Sequence, residues 1–281
     1  MAKSGHPEAI EVAQSLFPLF KKHRCDIFLP DFVFSGTPMK APGTIVSEET
    51  LVSSADLMVV LGGDGTLLKT VRMLKGRNVP VIGIKLGGMG FLTEMTKENM
   101  VSVLDQVLRG SYTTEERLKL RAVVKRHMKE LTVFDALNDA VIHTSGLARV
   151  SNYKLSLNGQ FFTYLKADGV LVATPTGSTA YSFAAGGPIV DPQTHLMILT
   201  PICPKNLAHR PIVISSESKI EIQLEYKNSD VLLTMDGQES FALNEGDTVE
   251  MTQSDQSAFF VRAQGSDHLK TIRNKLFFDY S

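Results

Sequence analysis

The stretch LMVVLGGDGTLLKTVRML, Leu57 to Leu74, decides how the chain is read. Leu57 to Leu61 is a continuous apolar run of strand length, the pattern of a strand buried on both faces. It runs into Gly62-Gly63-Asp64-Gly65-Thr66 and straight on into a helical pattern at Leu67, Leu68, Val71 and Leu74, which stops near Gly76. A second buried-type strand, Val79 to Ile84, follows, so the unit is β-α-β and its sheet is parallel. Three glycines let the backbone come close to a ligand. Amides at a helix N-terminus, with the positive end of the helix dipole behind them, form an anion site, and phosphate is the expected occupant of Gly62, Gly63, Gly65 and Thr66. The turn is not a Walker loop, because the GxxxxGK[ST] spacing is absent, and no GxGxxG follows a strand. Its distinguishing residue is Asp64, whose charge would repel an anion and for which a stabilising role is hard to see. A carboxylate beside phosphates makes sense if it accepts a proton from an attacking hydroxyl or helps to place a divalent metal. The plainer alternative is an aspartate that only caps the helix.

Working outward, a second glycine-rich turn, Gly87-Gly88-Met89-Gly90-Phe91-Leu92, follows the second strand. Both turns then lie at the carboxyl ends of neighbouring parallel strands, the edge where open α/β sheets bind ligands, although a simple flexible β-α turn reads the same way. Upstream, Pro7, Glu8 and the apolar Ile10, Ala13, Leu16, Phe17 and Phe20 suit a helix that Pro18 bends or shortens. Asp26 to Leu29 reads as a short strand, and Ser47 caps a brief helix led by Glu48 and Glu49. Downstream, Thr96 is expected to cap a helix through Met100, Val103, Leu104 and Leu108 that Gly110 ends.

Beyond about residue 115 the period changes to alternation, as in Leu118, Leu120, Ala122 and Val124. Asn158-Gly159 between KLSL and QFFTYL, and Asp236-Gly237 between VLLTM and QESFAL, are the strongest short-range signals for tight hairpins. The fold expected is therefore a Rossmann-like α/β domain at residues 1–115 followed by a β-rich domain at 116–260, with Phe259 to Arg262 strand-like and a closing helix capped by Ser266 or Asp267. Composition fits this picture. Of 281 residues, 43% are hydrophobic and 21% charged, and 29 basic against 30 acidic side chains give a net charge of −1, which disfavours disorder and a basic nucleic-acid binder. No apolar run approaches the ~20 residues that span a bilayer, the N-terminus lacks a signal-peptide layout, and the two cysteines show no disulfide or zinc spacing. A cytoplasmic protein with no membrane or nucleic-acid partner is expected.

A third segment, Asp168 to Tyr181, again runs a buried-type strand, GVLVA, into a loop of small hydroxyl residues, TPTGSTAY, that continues to Gly186-Gly187-Pro188. Such a loop donates many hydrogen bonds, although richness in Ser, Thr and Gly is by itself only a turn signal. With this segment on the page, the chain resembles the bacterial ATP-NAD kinase family. GGDGT at Gly62 to Thr66, LNDAVI at Leu137 to Ile142, DGVLVATPTGSTAYSFAAGGPIV at Asp168 to Val190 and TPICPKNLAHRPIV at Thr200 to Val213 look like the family's motifs in order. GGDG is shared with lipid kinases and phosphofructokinases; the TPTGSTAY segment singles out NAD kinases.

The resemblance implies phosphoryl transfer from ATP, or inorganic polyphosphate, to the 2′-hydroxyl of the adenosine ribose of NAD, with a divalent metal, Mg²⁺ by preference, accompanying the donor and no protein ligand to it assigned. It implies Asp64 as proton acceptor, Gly65 and Lys69 along the first turn, Phe91 in the second, and Asn138 and Asp139 on the adenosine ribose. Arg149, Lys166 and Asp168 would serve the nicotinamide side or a neighbouring subunit; Thr179, Ala180, Tyr181, Ser182, Phe183 and Ala184 would hold the adenine and nicotinamide ends, and Gln238 would close the site. It further implies that residues 261–281 return to the first domain and that the protein is a homodimer or homotetramer. An Asn-acid pair can hold a ribose diol and a carboxylate can accept carboxamide protons, whereas Asn138-Asp139 could equally be a turn pair and Lys69 and Lys166 solvated charges.

This chain departs from the family in three places. Asn138-Asp139 stands where members usually have Asn-Glu, a carboxylate one methylene longer. Ala184 stands where many have Ser, a lost neutral hydrogen bond worth only about 0.5–1.5 kcal/mol. Members commonly carry a full first strand ahead of the equivalent of GHPEA, so here either that strand is shortened or the sequence begins late. Two other readings share some of these features: a GGDG-type lipid kinase, against which stand the TPTGSTAY segment and the lack of a basic apolar docking helix, and a non-catalytic NAD-binding sensor, against which stands Asp64.

Overall fold

A computed structural model of the chain describes residues 1–2, 7–34, 43–87, 90–145, 150–227, 229–263 and 271–273. It divides into two compact units, one formed by Met1–Glu116 with the chain from Ala258 onward, the other by Arg117–Ser257. In chain order the first unit carries α1 (Pro7–Lys22), β1 (Phe28–Pro30), α2 (Asp31–Phe34), β2 (Thr44–Val46), α3 (Glu48–Ser54), β3 (Met58–Gly62), α4 (Asp64–Met73), β4 (Val81–Lys85) and α5 (Met100–Leu108). The long β5 (Thr113–Arg126) leads into the second unit. That unit holds β6 (Lys129–Ala136), β7 (Asp139–Thr144), β8 (Ser151–Leu157), β9 (Gln160–Ala167), β10 (Gly169–Ala173), a 3₁₀ turn (Thr176–Thr179), α6 (Tyr181–Ala184), β11 (Leu196–Ile202), β12 (Ile212–Ser215), β13 (Ile220–Tyr226), β14 (Val231–Met235) and β15 (Glu239–Leu243). The last strand, β16 (Thr248–Arg262), ends in the first unit.

In the first unit β3 and β4 are parallel neighbours, in register from Met58↔Val81 to Gly62↔Lys85, and Phe260 of β16 pairs in parallel with Val81. Ile82 and Ile84 pack with Leu16 and Phe17 of α1 and Leu104 of α5 on one face. Gly83 points to the other face, where a Cβ would sit 2.9 Å from Leu67 of α4. The sheet is covered on both sides, which is why these strands read as unbroken apolar runs. Ser47 caps α3 by accepting the Thr50 N–H, and Ala2 forms a parallel bridge to Leu61.

Two local expectations fail here for identifiable reasons. Pro18 does not stop α1, which continues to Lys22; Pro18 lies on the exposed face, where water can serve the carbonyl its missing N–H leaves, while Leu16, Phe17 and Leu19 are buried. Thr96 does not cap α5. Its N–H donates to Asn99 Oδ1 at 2.8 Å, a turn closed before the helix, and Asn99 takes the N-cap position without a side-chain cap of its own.

In the second unit one sheet runs β12-β11-β10-β7-β14-β15, every neighbouring pair antiparallel. A second set, β16-β13-β8-β9, is also antiparallel, with the β5–β6 hairpin beside it. Ile142, Val170, Val172 and Leu233 from the first sheet and Tyr153, Leu155, Ile222 and Val249 from the second form one buried cluster. The opposite face of β7 and β10, with Val141, Leu171 and Ala173, is covered as well, so all five residues of β10 are buried. Asn158-Gly159 and Asp236-Gly237 make the β8–β9 and β14–β15 hairpins with all four φ angles positive, between 51° and 77°, as a type I′ turn requires; the first connection has two residues, with Leu157 opposite Gln160, and the second three, Asp236 to Gln238, with Met235 opposite Glu239. The expected closing helix lies outside the described residues except for 271–273, which are helical. Among the described residues no helix is long and apolar enough to cross a membrane.

Candidate functional site

In the first unit, β3 ends at Gly62 and α4 begins two residues later, with Gly63 as N-cap and Asp64 the first helical residue. The Thr66 and Leu67 N–H groups both return to the Gly63 carbonyl, and Gly63 and Gly65 are exposed. A Cβ on Gly62 would sit 2.6 Å from Thr66 Oγ1, so the turn is too tight for a side chain there. The Asp64 carboxylate reaches the second glycine turn, accepting the Phe91 N–H at 2.7 Å and the Leu92 N–H at 3.0 Å. Two expectations are corrected by this. Asp64 is not the helix cap, and it has a structural task after all: it supplies acceptors for two amides of the neighbouring turn. A Cβ on Gly90 would come within 2.5 Å of Asp64 Oδ1, so glycine at that position keeps the carboxylate where it is.

In the second unit a cavity of about 380 Å³ is lined by Asn138, Asp139, His143, Tyr181, Thr234 and Asp236 among others. The turn that carries Asn138 and Asp139 is held from two directions. The Asp236 carboxylate accepts three main-chain N–H groups, from Leu137 at 2.9 Å, Asn138 at 2.7 Å and Asp139 at 3.1 Å. Thr174 takes the other side: its hydroxyl donates to the Leu137 carbonyl at 2.5 Å and its N–H to the Asn138 carbonyl at 2.9 Å. Gly177 follows because a Cβ there would run into that Asn138 carbonyl. Asn138 Oδ1 is buried and has no hydrogen-bond partner among the described residues. Asp139 is 5% exposed, and burial, then the nearby Asp236 charge, push its carboxyl up to about 7.

These two turns coincide with the two halves of a known sequence pattern. The ATP-NAD kinase N-terminal domain profile matches residues 2–112 and the ATP-NAD kinase C-terminal domain profile residues 137–263. The chain belongs to the ATP-NAD kinase family. An NAD kinase of Syntrophotalea carbinolica is 38% identical over 98% of this chain and 96% of its own length, and one of Syntrophobacter fumaroxidans 40% identical over 98% and 95%. Among solved structures, a yeast NADH kinase complexed with NADH is similar with a TM-score of 0.91 at 28% identity, covering 100% of this chain and 87% of its own. An NAD kinase from Archaeoglobus fulgidus in complex with ATP is similar with a TM-score of 0.72 at 27% identity, covering 98% and 97%.

Of the residues that the ATP-NAD kinase resemblance singles out, Asn138, Asp139, Ala180 and Tyr181 share the cavity. Ser182 is fully buried with its hydroxyl 3.3 Å from Thr200 Oγ1, while Tyr181 and Phe183 leave 46% and 44% of their surface exposed and Ala184 is exposed too. Thr179 is half-buried at the end of the 3₁₀ turn. Gln238 is exposed, its N–H closing the hairpin onto the Met235 carbonyl. Lys166 is exposed on β9, Asp168 is half-buried between β9 and β10, and neither lines the cavity. Lys69 is exposed with its ammonium 4.6 Å above the Phe32 ring, and Phe91 is half-buried. Arg149, Gly88 and Met89 lie outside the described residues. Sequence reasoning passed over Asp236 and Thr174. Asp236 was legible only as the first residue of a hairpin turn, and its three amide bonds reach a segment almost a hundred residues away.

Two predictions follow from this geometry. Gly90→Ala displaces the Asp64 carboxylate from the Phe91 and Leu92 amides, and steady-state turnover should fall about 100-fold, the scale of a ~1 Å misplacement of a reacting group. For Asp139, the folded carboxyl holds its proton up to about pH 7 whereas in the unfolded chain it ionises near 4. The folded state therefore binds more protons in that window, and its stability declines as pH rises from about 4 to about 7. Asp139→Asn removes the ionisation, so urea unfolding at pH 8 should show it more stable than the parent by on the order of 2–4 kcal/mol.

Proposed function

We propose that this protein is an NAD kinase, transferring the γ-phosphoryl group of ATP to the 2′-hydroxyl of the adenosine ribose of NAD to give NADP and ADP. The observation that carries the reading is a carboxylate, Asp64, at the first helical position behind a glycine phosphate turn, in a chain matched by both ATP-NAD kinase domains. In the reaction the 2′-oxygen forms a bond to the γ-phosphorus as the bond from that phosphorus to the β–γ bridging oxygen breaks, and ADP leaves with the electron pair. The hydroxyl proton passes to Asp64. The two amides on Asp64 fix the direction of its free lone pairs, so that the base is preorganised rather than mobile.

Gly62, Gly63, Gly65 and Thr66 bind donor phosphate through amides at the α4 N-terminus, and Lys69, one turn further on, adds a cation. Asn138 and Asp139 hold the ribose, Tyr181 and Phe183 offer aromatic faces to the bases, and Gln238 closes the hairpin side. Lys166, Asp168 and Arg149 serve the nicotinamide end or a neighbouring subunit of a homodimer or homotetramer. Among the described residues no group of three or more His, Cys, Asp or Glu is placed to hold a metal, and Asp64 already accepts two amides. The described residues therefore offer no closed cage. A divalent ion, Mg²⁺ by family resemblance, would enter with the donor phosphates and neutralise their charge, the usual mode for that ion. Neither a lipid kinase nor a non-catalytic sensor is favoured, since the family matches extend over both units and Asp64 is retained.

The test is NADP formation by the purified protein with NAD, Mg²⁺ and ATP or polyphosphate, coupled to an NADP-specific dehydrogenase. Turnover is expected with ATP, and polyphosphate ranks as an alternative donor by the same assay. Asp64→Asn should keep NAD binding by calorimetry and lose ~10²–10⁴-fold in kcat, the range for removal of a general base. An unaffected rate in that variant sinks the role given to Asp64.

A further inference from the structure

Two carboxylates, Asp139 and Asp236, line one cavity, yet their hydrogen bonding differs completely. Asp236 accepts three main-chain N–H groups with its two oxygens, an arrangement that favours the ionised form, which offers the most acceptor lone pairs. Asp139 is 5% exposed, and among the described residues no cation pairs with it. Of the nearby cations, Arg121 of β5 pairs with Asp135 of β6 at 3.2 Å and Asp255 of β16 at 2.6 Å, while Lys119 of β5 lies 3.4 Å from the neutral Gln256 and feels the Asp236 charge, favouring the Asp236 anion. The titratable groups that share the cavity with Asp139 are His143 on its own strand, Tyr181 of α6 and Asp236 of the β14–β15 hairpin. Burial first, and the Asp236 charge second, disfavour an anion at Asp139, so of the two acids the proton goes to the one whose oxygens accept no amide among the described residues.

We propose that Asp236 is a positioning residue of the nucleotide site: anchored by three amides of the Leu137–Asp139 turn, it keeps the adjacent Asp139 protonated, so that Asp139 meets a sugar hydroxyl as a hydrogen-bond donor. This rests on the NAD kinase reading for the identity of the sugar. A protonated carboxyl gives one donor and one acceptor, and the buried Asn138 Oδ1 beside it adds an acceptor without a present partner. The pair then suits a vicinal diol in which one hydroxyl accepts and the other donates, unlike an ionised carboxylate, which only accepts. Burial and the Asp236 charge hold the Asp139 proton up to about pH 7, which sets where the effect is seen. Above that pH the binding-competent form becomes a minority and affinity falls in proportion.

The experiment is calorimetric titration of the full chain with NAD from pH 6 to 9. For the parent protein the Kd should be level at the acid end and rise about tenfold per unit above pH 8, because only the protonated fraction binds. Binding at pH 8.5 should take up a proton, read as a difference in enthalpy between buffers of different ionisation heat. Asp139→Asn, a permanent donor of the same shape, should lose the pH slope and bind NAD about tenfold or more tighter than the parent at pH 8.5. A slope due to His143 would survive in that variant and overturn the proposal. Asp236→Asn removes the charge, so the midpoint of the slope should move to lower pH; equal weakening at every pH with an unmoved midpoint would mean a merely structural role and would overturn it. Should Asp236→Asn not fold, the parent slope and Asp139→Asn decide alone: a flat parent profile, or Asp139→Asn binding more weakly than the parent at pH 8.5, contradicts the inference. Absence of NAD binding by the parent at any pH would remove the nucleotide reading and this one with it, a failure distinct from a flat profile with intact binding.

Discussion

Turns that carry chemistry leave main-chain N–H groups pointing into the fold, and a buried N–H without an acceptor costs on the order of 1–3 kcal/mol. Here carboxylates supply the acceptors. Asp64 takes the amides of Phe91 and Leu92 in the first unit, and Asp236 takes those of Leu137, Asn138 and Asp139 in the second. Much else is arranged around these bonds. Gly90 is small because Asp64 Oδ1 occupies the space of its Cβ, and Thr174 and Gly177 fit against the carbonyl side of the turn whose amide side Asp236 holds. The groups that bind and react are thus set by backbone geometry, which reorganises little when a substrate arrives.

The two acids differ in what remains available to them. Asp64 is half-buried at the first position of a ten-residue helix, and its carboxylate has lone pairs beyond the two amide bonds it accepts. Asp139 is buried beside another carboxylate and retains its proton to about neutrality. The same side chain thus meets two different surroundings in this fold, one at a helix start and one buried beside a second acid.

The elements legible in the sequence were those decided by local physics. The unbroken apolar runs of β3 and β4 announce a sheet covered on both faces, and the Asn-Gly and Asp-Gly pairs announce tight hairpins because few other residues accept two successive positive φ angles. The strand-to-helix turn at Gly62 to Thr66 was legible from its glycines and the apolar patterns on either side. What escaped depended on distant partners. Pro18 was tolerated because its side of α1 faces solvent, the Thr96 cap was displaced by Asn99, and Asp236 looked like a turn residue until the fold brought Leu137 to Asp139 beside it. Asp64 was read for chemistry alone because its two amide partners sit 27 and 28 residues away.

Transfer of a phosphoryl group to one particular hydroxyl is tested most directly by phosphorus NMR of the product formed from NAD and ATP by the purified protein. A new monoester resonance on the 2′-oxygen of the adenosine ribose, with ADP in equal amount, is the predicted result. A phosphate on any other oxygen, or ADP without a phosphorylated dinucleotide, would contradict it.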